Sequence, residues 1–170
     1  MYFVRGREDE DPMNILNRGY WATTILSVVG LAITSYLMMD TGTATGSNGI
    51  PAWIWFFLAG IVGLATSIAF VYITQYYTAG AWRPVKEIAE ASKTGPATNI
   101  IAGTAVGYET TAVTAVTIGI ALLASNWLGQ QAGLVNAAGD NVGGIFGTAV
   151  ATMGMLMTTA YILAMDTFGP

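Results

Sequence analysis

Four long apolar stretches, separated by shorter polar segments, dominate the pattern of hydrophobic and polar residues. Each stretch has about the 20 residues that an α-helix needs to cross a bilayer. Only helices and closed barrels satisfy all their backbone hydrogen bonds in lipid, so we predict an all-α membrane protein. In chain order, we predict a segment at 1–18, membrane helices at 19–40, 51–78, 98–127 and 143–166, loops at 41–50, 79–97 and 128–142, and a final segment at 167–170.

Aromatic and helix-breaking residues support these limits. The second stretch has two aromatic belts, Trp53 and Trp55 at one end and Tyr72, Tyr76 and Tyr77 at the other.

The loop at 79–97 contains a short amphipathic helix, which Pro84 begins and Gly95-Pro96 end. Val85 and Ile88 share one face of this helix, and its charged residues point away. Exposed charges contribute little, so we interpret this helix as a solvated connector held at the membrane surface.

Composition excludes several classes of function. The chain is 54% hydrophobic and only 9% charged, whereas soluble domains have about 25% charged residues. It contains no histidine and no cysteine, which excludes disulfides, thiolate or imidazole metal sites and histidine-based catalysis. The net charge of −4 and the lack of a basic patch exclude nucleic acid as a partner.

The basic residues predict the orientation. All six lie in the segments at 1–18 and 79–97: Arg5, Arg7, Arg18, Arg83, Lys86 and Lys93. With four spans, these two segments fall on one side of the membrane, and the positive-inside rule makes that side cytoplasmic. The loops at 41–50 and 128–142 are then external, where Asp40 and Asp140 are solvated.

Small residues recur at helical spacing in the last two spans. Gly103 and Gly107 form a GxxxG motif in the third span, and Gly143 and Gly147 repeat that spacing in the fourth. Small residues let membrane helices approach closely. The motifs are compatible with a gating or dimer seam and with static packing, and we favour packing.

Glu109 is an ionisable residue within the third span, about 16 Å along the helix from Thr98. We therefore predict that it lies near the middle of the membrane. An intramembrane carboxylate indicates an ion or proton pathway, but it is equally compatible with a glutamate paired to a hydroxyl group of Thr104, Thr110 or another helix. Both interpretations remain open.

The chain resembles the membrane-integral pyrophosphatases, which couple pyrophosphate hydrolysis to proton or sodium transport. The resemblance is carried by Tyr76-Tyr77-Thr78, Arg83-Pro84-Val85, Thr94-Gly95, Ala97-Thr98-Asn99-Ile100-Ile101, Gly154-Met155-Leu156, and Asp166 with Phe168-Gly169-Pro170. The last group matches the start of the family signature Asp-x-x-Gly-Pro-Ile-x-Asp-Asn-Ala-Gly-Gly.

The resemblance implies that these four helices are part of a larger multi-span bundle, truncated within the signature at 167–170. It implies Mg²⁺ as a cofactor and leaves K⁺ open as a second, with pyrophosphate as the substrate of the full-length protein and a homodimer in a bacterial or archaeal cell membrane. Asp166 corresponds to the first signature aspartate, which we expect behind the ligands of the magnesium ions. No catalytic residue or direct metal ligand is assigned in this chain, and we expect it to be inactive alone.

One alternative belongs to a different functional class. The chain could be a complete four-span membrane protein that acts as a channel-like or accessory subunit through Glu109. This alternative predicts a stable oligomer when the chain is expressed alone, whereas the resemblance predicts a pump fragment.

Overall fold

The protein is described here by a computed structural model that covers residues 12–39, 46 and 49–168, with side chains at 17–38, 46 and 49–163. Its helices are α1 (Pro12–Met39), α2 (Ala52–Thr78), α3 (Arg83–Ala91), α4 (Pro96–Gln131), α5 (Gly143–Leu156) and α6 (Thr159–Phe168). The described residues contain no strand, only an isolated bridge between Val135 and Asn141. The prediction of an all-α fold is confirmed.

Four stretches of the described chain are long and apolar enough to cross a membrane: α1, α2, α4, and α5 together with α6. Two helices extend beyond the predicted limits. α1 begins at Pro12, where the missing proline N–H suits a first helical turn. α4 has 36 residues and is therefore about 54 Å long. Asp40, Arg5 and Arg7 lie outside the described residues.

The stretch predicted as one helix at 143–166 is interrupted. The N–H of Met157 is shared between the carbonyls of Met153 and Gly154, at 3.2 and 3.3 Å. Regular pairing resumes beyond it, where the N–H groups of Tyr161 and Ile162 both donate to the carbonyl of Thr158. Two β-branched threonines follow Met157, and such residues lose side-chain freedom in a helix.

The chain divides into two compact units, Met1–Ala65 with Ala121–Pro170, and Thr66–Ile120. The first unit contains α1, α5, α6, the first half of α2 and the last turns of α4. Its buried apolar side chains are Tyr20, Leu31, Ala52, Phe56, Ala59, Leu64, Ala132 and Ala151. The second unit contains α3 and the remaining parts of α2 and α4.

Glycine contacts hold the helices of the first unit together. A stripe of small residues runs along one face of α5: Gly143, Gly147, Ala151 and Gly154. A Cβ atom on Gly147 would lie only 2.6 Å from the Ser125 carbonyl oxygen in α4. A Cβ atom on Gly154 would likewise overlap the Gly60 carbonyl oxygen in α2. The backbones of α4 and α2 therefore lie directly against α5.

Aromatic pairs add contacts between the same helices. The rings of Phe56 in α2 and Phe146 in α5 meet edge to face, with their centroids 4.9 Å apart. Trp55 in α2 and Trp127 in α4 meet edge to face at 6.4 Å. Edge-to-face pairs at these distances are favourable beyond their buried area.

Candidate functional site

Glu109 pairs with a hydroxyl group from another helix. The hydroxyl of Tyr77 in α2 donates a hydrogen bond of 3.2 Å to Oε1 of Glu109 in α4. The two threonines considered from the sequence donate instead to their own helix, Thr104 to the carbonyl of Ile100 and Thr110 to that of Val106. Glu109 is therefore held from α2, in the second unit.

This contact changes how the depth of Glu109 must be judged. Tyr77 is in the last turn of α2, which ends at Thr78, so Glu109 lies level with that end of the helix. The sequence-based estimate counted from Thr98, close to the start of α4. Because α4 is about 54 Å long and hydrocarbon is about 30 Å thick, distance from its first residue does not determine membrane depth.

Two further aromatic rings pack next to Tyr77, the hydrogen-bond donor to Glu109. The ring of Tyr76 meets that of Tyr77 edge to face at 5.0 Å, and Trp82 is tilted against Tyr76 at 5.5 Å. Trp82 immediately precedes α3. The end of α2 and the start of α3 thus form one aromatic cluster beside Glu109.

The exposed face of α3 carries charges of both signs. The Nε of Arg83 lies 3.3 Å from Oε2 of Glu87, and both side chains are largely exposed. Lys86 and Glu90 line the same shallow groove. Exposed ion pairs contribute little to stability, and the mixed charges give this groove no strong preference for an anion.

Asp166 lies in α6, but its side chain is outside the described residues. Within the ranges that the structure covers, no group of three or more Asp, Glu, His or Cys side chains could hold a metal ion. Mg²⁺ requires near-octahedral oxygen coordination from carboxylates, waters and substrate phosphates. The described residues therefore do not form a magnesium site by themselves.

The glycine motifs have different surroundings. Gly143 and Gly147 lie against the α4 backbone, where a Cβ on either residue would overlap Gly129 or its neighbours. A Cβ on Gly103 or Gly107 would meet nothing within 4 Å among the described residues. The glycine motif of α5 therefore packs against α4, whereas packing at the glycine motif of α4 stays a prediction.

Sequence reasoning missed Tyr77 as a partner of Glu109, because this tyrosine was assigned only to an aromatic belt. It also missed the buried Thr158 at the interruption between α5 and α6. The adjacent Thr158 and Thr159 were a weak signal for that interruption. Nothing local to Tyr77 or Glu109 indicates their pairing, because they are 32 residues apart.

The chain matches one protein family along its full length. The model of the family described as "Inorganic H+ pyrophosphatase" matches residues 1–170. The chain belongs to the inorganic H+ pyrophosphatase family. The resemblance in the sequence motifs is confirmed, and the four apolar helical stretches make this member an integral membrane protein.

Individual H+ pyrophosphatase relatives match most or all of the chain. It is 53% identical over 171 residues to "K(+)-insensitive pyrophosphate-energized proton pump 2" of Moorella thermoacetica, covering 100% of this chain and 23% of that protein. It is 46% identical to "Pyrophosphate-energized membrane proton pump 3" of Arabidopsis thaliana, covering 95% of this chain and 20% of that protein. The chain thus spans about a fifth of the length of these relatives.

A shorter relative is "Pyrophosphate-energized proton pump 2" of Rhizobium leguminosarum bv. trifolii. It is 36% identical over 177 residues, covering 99% of this chain and 73% of that protein. No solved structure matches the chain.

Proposed function

We propose that this chain forms a membrane-embedded part of a pyrophosphate-energised proton pump. The observation that carries the proposal is the family match over residues 1–170, together with 53% identity to a relative with that printed name. The structure is compatible with this function because it supplies four apolar helical stretches. Proton transport is preferred to sodium transport because the relatives cited above are named proton pumps.

Pyrophosphate is the proposed substrate of the complete protein, and Mg²⁺ is the proposed cofactor. Hydrolysis of this highly charged anion requires metal ions that neutralise its oxygens. The ligands must come largely from outside the described residues, since these hold no suitable carboxylate group. We propose that Asp166 lies behind the Mg²⁺ ligands and orients one of them.

The remaining proposals concern K⁺ and assembly. Three relatives, from Moorella thermoacetica, Caldanaerobacter subterraneus and Methanosarcina mazei, are named K(+)-insensitive. We therefore favour a pump that does not require K⁺ over the K⁺-using pump considered from the sequence. A homodimer surrounded by membrane lipid remains a proposal based on the family resemblance.

A bacterial or archaeal cell membrane also remains a proposal. It is consistent with several of the organisms named above, but a plant relative also matches. The alternative of a self-contained channel-like or accessory protein is less well supported, because relatives named as pumps match along essentially the whole chain.

The direct test uses the complete polypeptide that carries this chain, reconstituted in sealed vesicles with Mg²⁺. Adding pyrophosphate should release phosphate and acidify the vesicle lumen, and a protonophore should abolish acidification without stopping hydrolysis. Omitting K⁺ should leave both rates unchanged. Hydrolysis without acidification would reject the pump, and absence of both by a folded protein would reject pyrophosphate as its substrate.

A further inference from the structure

Residues of the types favoured at membrane interfaces occur at similar separations along three helices. In α1, Arg18 and Tyr36 are about 27 Å apart along the helix axis. In α2, Trp55 and Tyr77 are separated by about 33 Å. In α4, the separation of Glu109 and Trp127 is about 27 Å. Each value is close to the thickness of bilayer hydrocarbon, about 30 Å.

Within the first unit, ring contacts align these markers at the end that the positive-inside rule predicts to be external. Tyr36 of α1 meets Trp53 of α2 edge to face at 5.6 Å. Trp55 of α2, two residues further on, meets Trp127 of α4 at 6.4 Å. Three helices therefore bring aromatic side chains to one level, which is the arrangement of an interfacial belt.

Within the second unit, a hydrogen bond aligns α2 and α4 with each other. Tyr77 of α2 donates to Glu109 of α4, and Tyr108 beside it is 74% exposed. Tyrosine and charged groups are favoured among lipid headgroups, where rings contact acyl chains and polar tips reach water. Placing Glu109 at that level avoids the cost of a carboxyl group at the bilayer centre.

We propose that the cytoplasmic lipid headgroups meet this chain at the level of Tyr77 and Glu109. α4 then enters hydrocarbon at Tyr108, and its first 12 residues, 96–107, form a rod about 18 Å long on the cytoplasmic side of the headgroups. Gly103 lies outside the hydrocarbon. Its GxxxG motif with Gly107 does not pack helices within the lipid core.

Ile101 and Val116 distinguish this placement from entry at the first turn of α4. Both side chains are largely exposed, at 69% and 62%. In the proposed placement, Ile101 lies beyond the headgroups and Val116 lies in hydrocarbon. If α4 entered the membrane at Thr98, as predicted from the sequence, Ile101 would also lie within the membrane boundary. The proposal does not depend on pyrophosphate hydrolysis.

The chain has no cysteine. Single spin labels can therefore be attached to the variants Ile101→Cys and Val116→Cys of the complete polypeptide. Any cysteines elsewhere in that polypeptide are replaced first. In phosphatidylcholine vesicles, the measurement is the ratio of collision rates with a water-soluble nickel chelate and with oxygen. We expect this ratio to be several-fold higher at residue 101 than at residue 116. Equal ratios, or a higher ratio at residue 116, would overturn the proposal.

A second pair keeps the test decisive if one labelled variant does not fold. Thr104→Cys and Ile120→Cys lie on the two sides of Glu109, and both native side chains are exposed. The nickel-to-oxygen ratio should again be several-fold higher at residue 104 than at residue 120. A ratio at residue 104 as low as that at residue 120 would place Glu109 inside the hydrocarbon and reject the headgroup level.

Discussion

Gly63 of α2 lies directly against the backbone carbonyl of Ala151 in α5, so closely that a Cβ on the glycine would overlap the carbonyl oxygen. Backbone atoms cannot move aside as a flexible side chain can. The contact therefore requires glycine at residue 63, and it continues through Gly60 and Gly154. In a membrane, where lipid is as apolar as the helices, such close packing drives helix association.

Replacing Gly63 with alanine should destabilise the α2–α5 contact by about 1–3 kcal/mol, the usual cost of overpacking. Gly30→Ala in α1 is the matched control, because a Cβ there meets nothing within 4 Å. Thermal unfolding of both variants in detergent measures the difference. A Gly63→Ala protein as stable as the Gly30→Ala protein would show that α2 and α5 are not in close contact.

The Tyr77–Glu109 hydrogen bond predicts non-additive effects on stability. Tyr77→Phe and Glu109→Gln should each lower the unfolding temperature, and the double variant should lose less than the sum of both changes. Thr78→Val is the control, because its hydroxyl donates only within α2, to the carbonyl of Thr74. Strict additivity of the two single variants would mean that the hydrogen bond does not form in the membrane.

The distribution of basic residues predicts opposite sides of the membrane for α3 and the loop after α4. Single cysteines can replace Ala89 and Val135, which are both exposed. A membrane-impermeant maleimide added to sealed inside-out vesicles should label residue 89 and leave residue 135 unlabelled until the vesicles are opened. Labelling of both residues before opening would contradict the predicted orientation.

Asp166 provides a test of the proposed magnesium chemistry. If its carboxylate orients a ligand from behind, Asp166→Asn in the complete polypeptide should weaken Mg²⁺ activation of hydrolysis by about 10–100-fold. Asp140→Asn is the control, because Asp140 is exposed and accepts a hydrogen bond from Asn136 within its own loop. The measurement is the Mg²⁺ concentration that gives half-maximal phosphate release. Equal values for the two variants would argue against this role.

The sequence predicts the elements of this fold well where the signals are local. The length of each apolar stretch indicates a spanning helix. Pro84 and Gly95 limit the amphipathic segment, and the structure places α3 at Arg83–Ala91, beginning one residue before Pro84. Proline and glycine act through their own backbone preferences, so their effects can be recognised without a tertiary structure.

The sequence does not predict features that depend on neighbouring helices. Gly143 and Gly107 have the same motif spacing, yet within the described part of the chain only Gly143 has a partner at backbone distance. The depth of Glu109 stays a prediction when it is counted from the helix start, because nothing in the sequence of α4 shows how much of it lies beside α2. Tyr77 supplies that information only once the two helices pack together.

The most direct test of the central claim places this chain in the Moorella thermoacetica relative, in place of the matching segment, to which it is 53% identical. A second chimera, in which the corresponding Arabidopsis thaliana segment replaces the same part of the Moorella thermoacetica relative, is the control. The measurement is pyrophosphate-driven acidification of sealed vesicles. The account predicts that the chimera containing residues 1–170 acidifies the lumen and that a protonophore abolishes the signal. A chimera that inserts and folds like the control but neither hydrolyses pyrophosphate nor moves protons would contradict it.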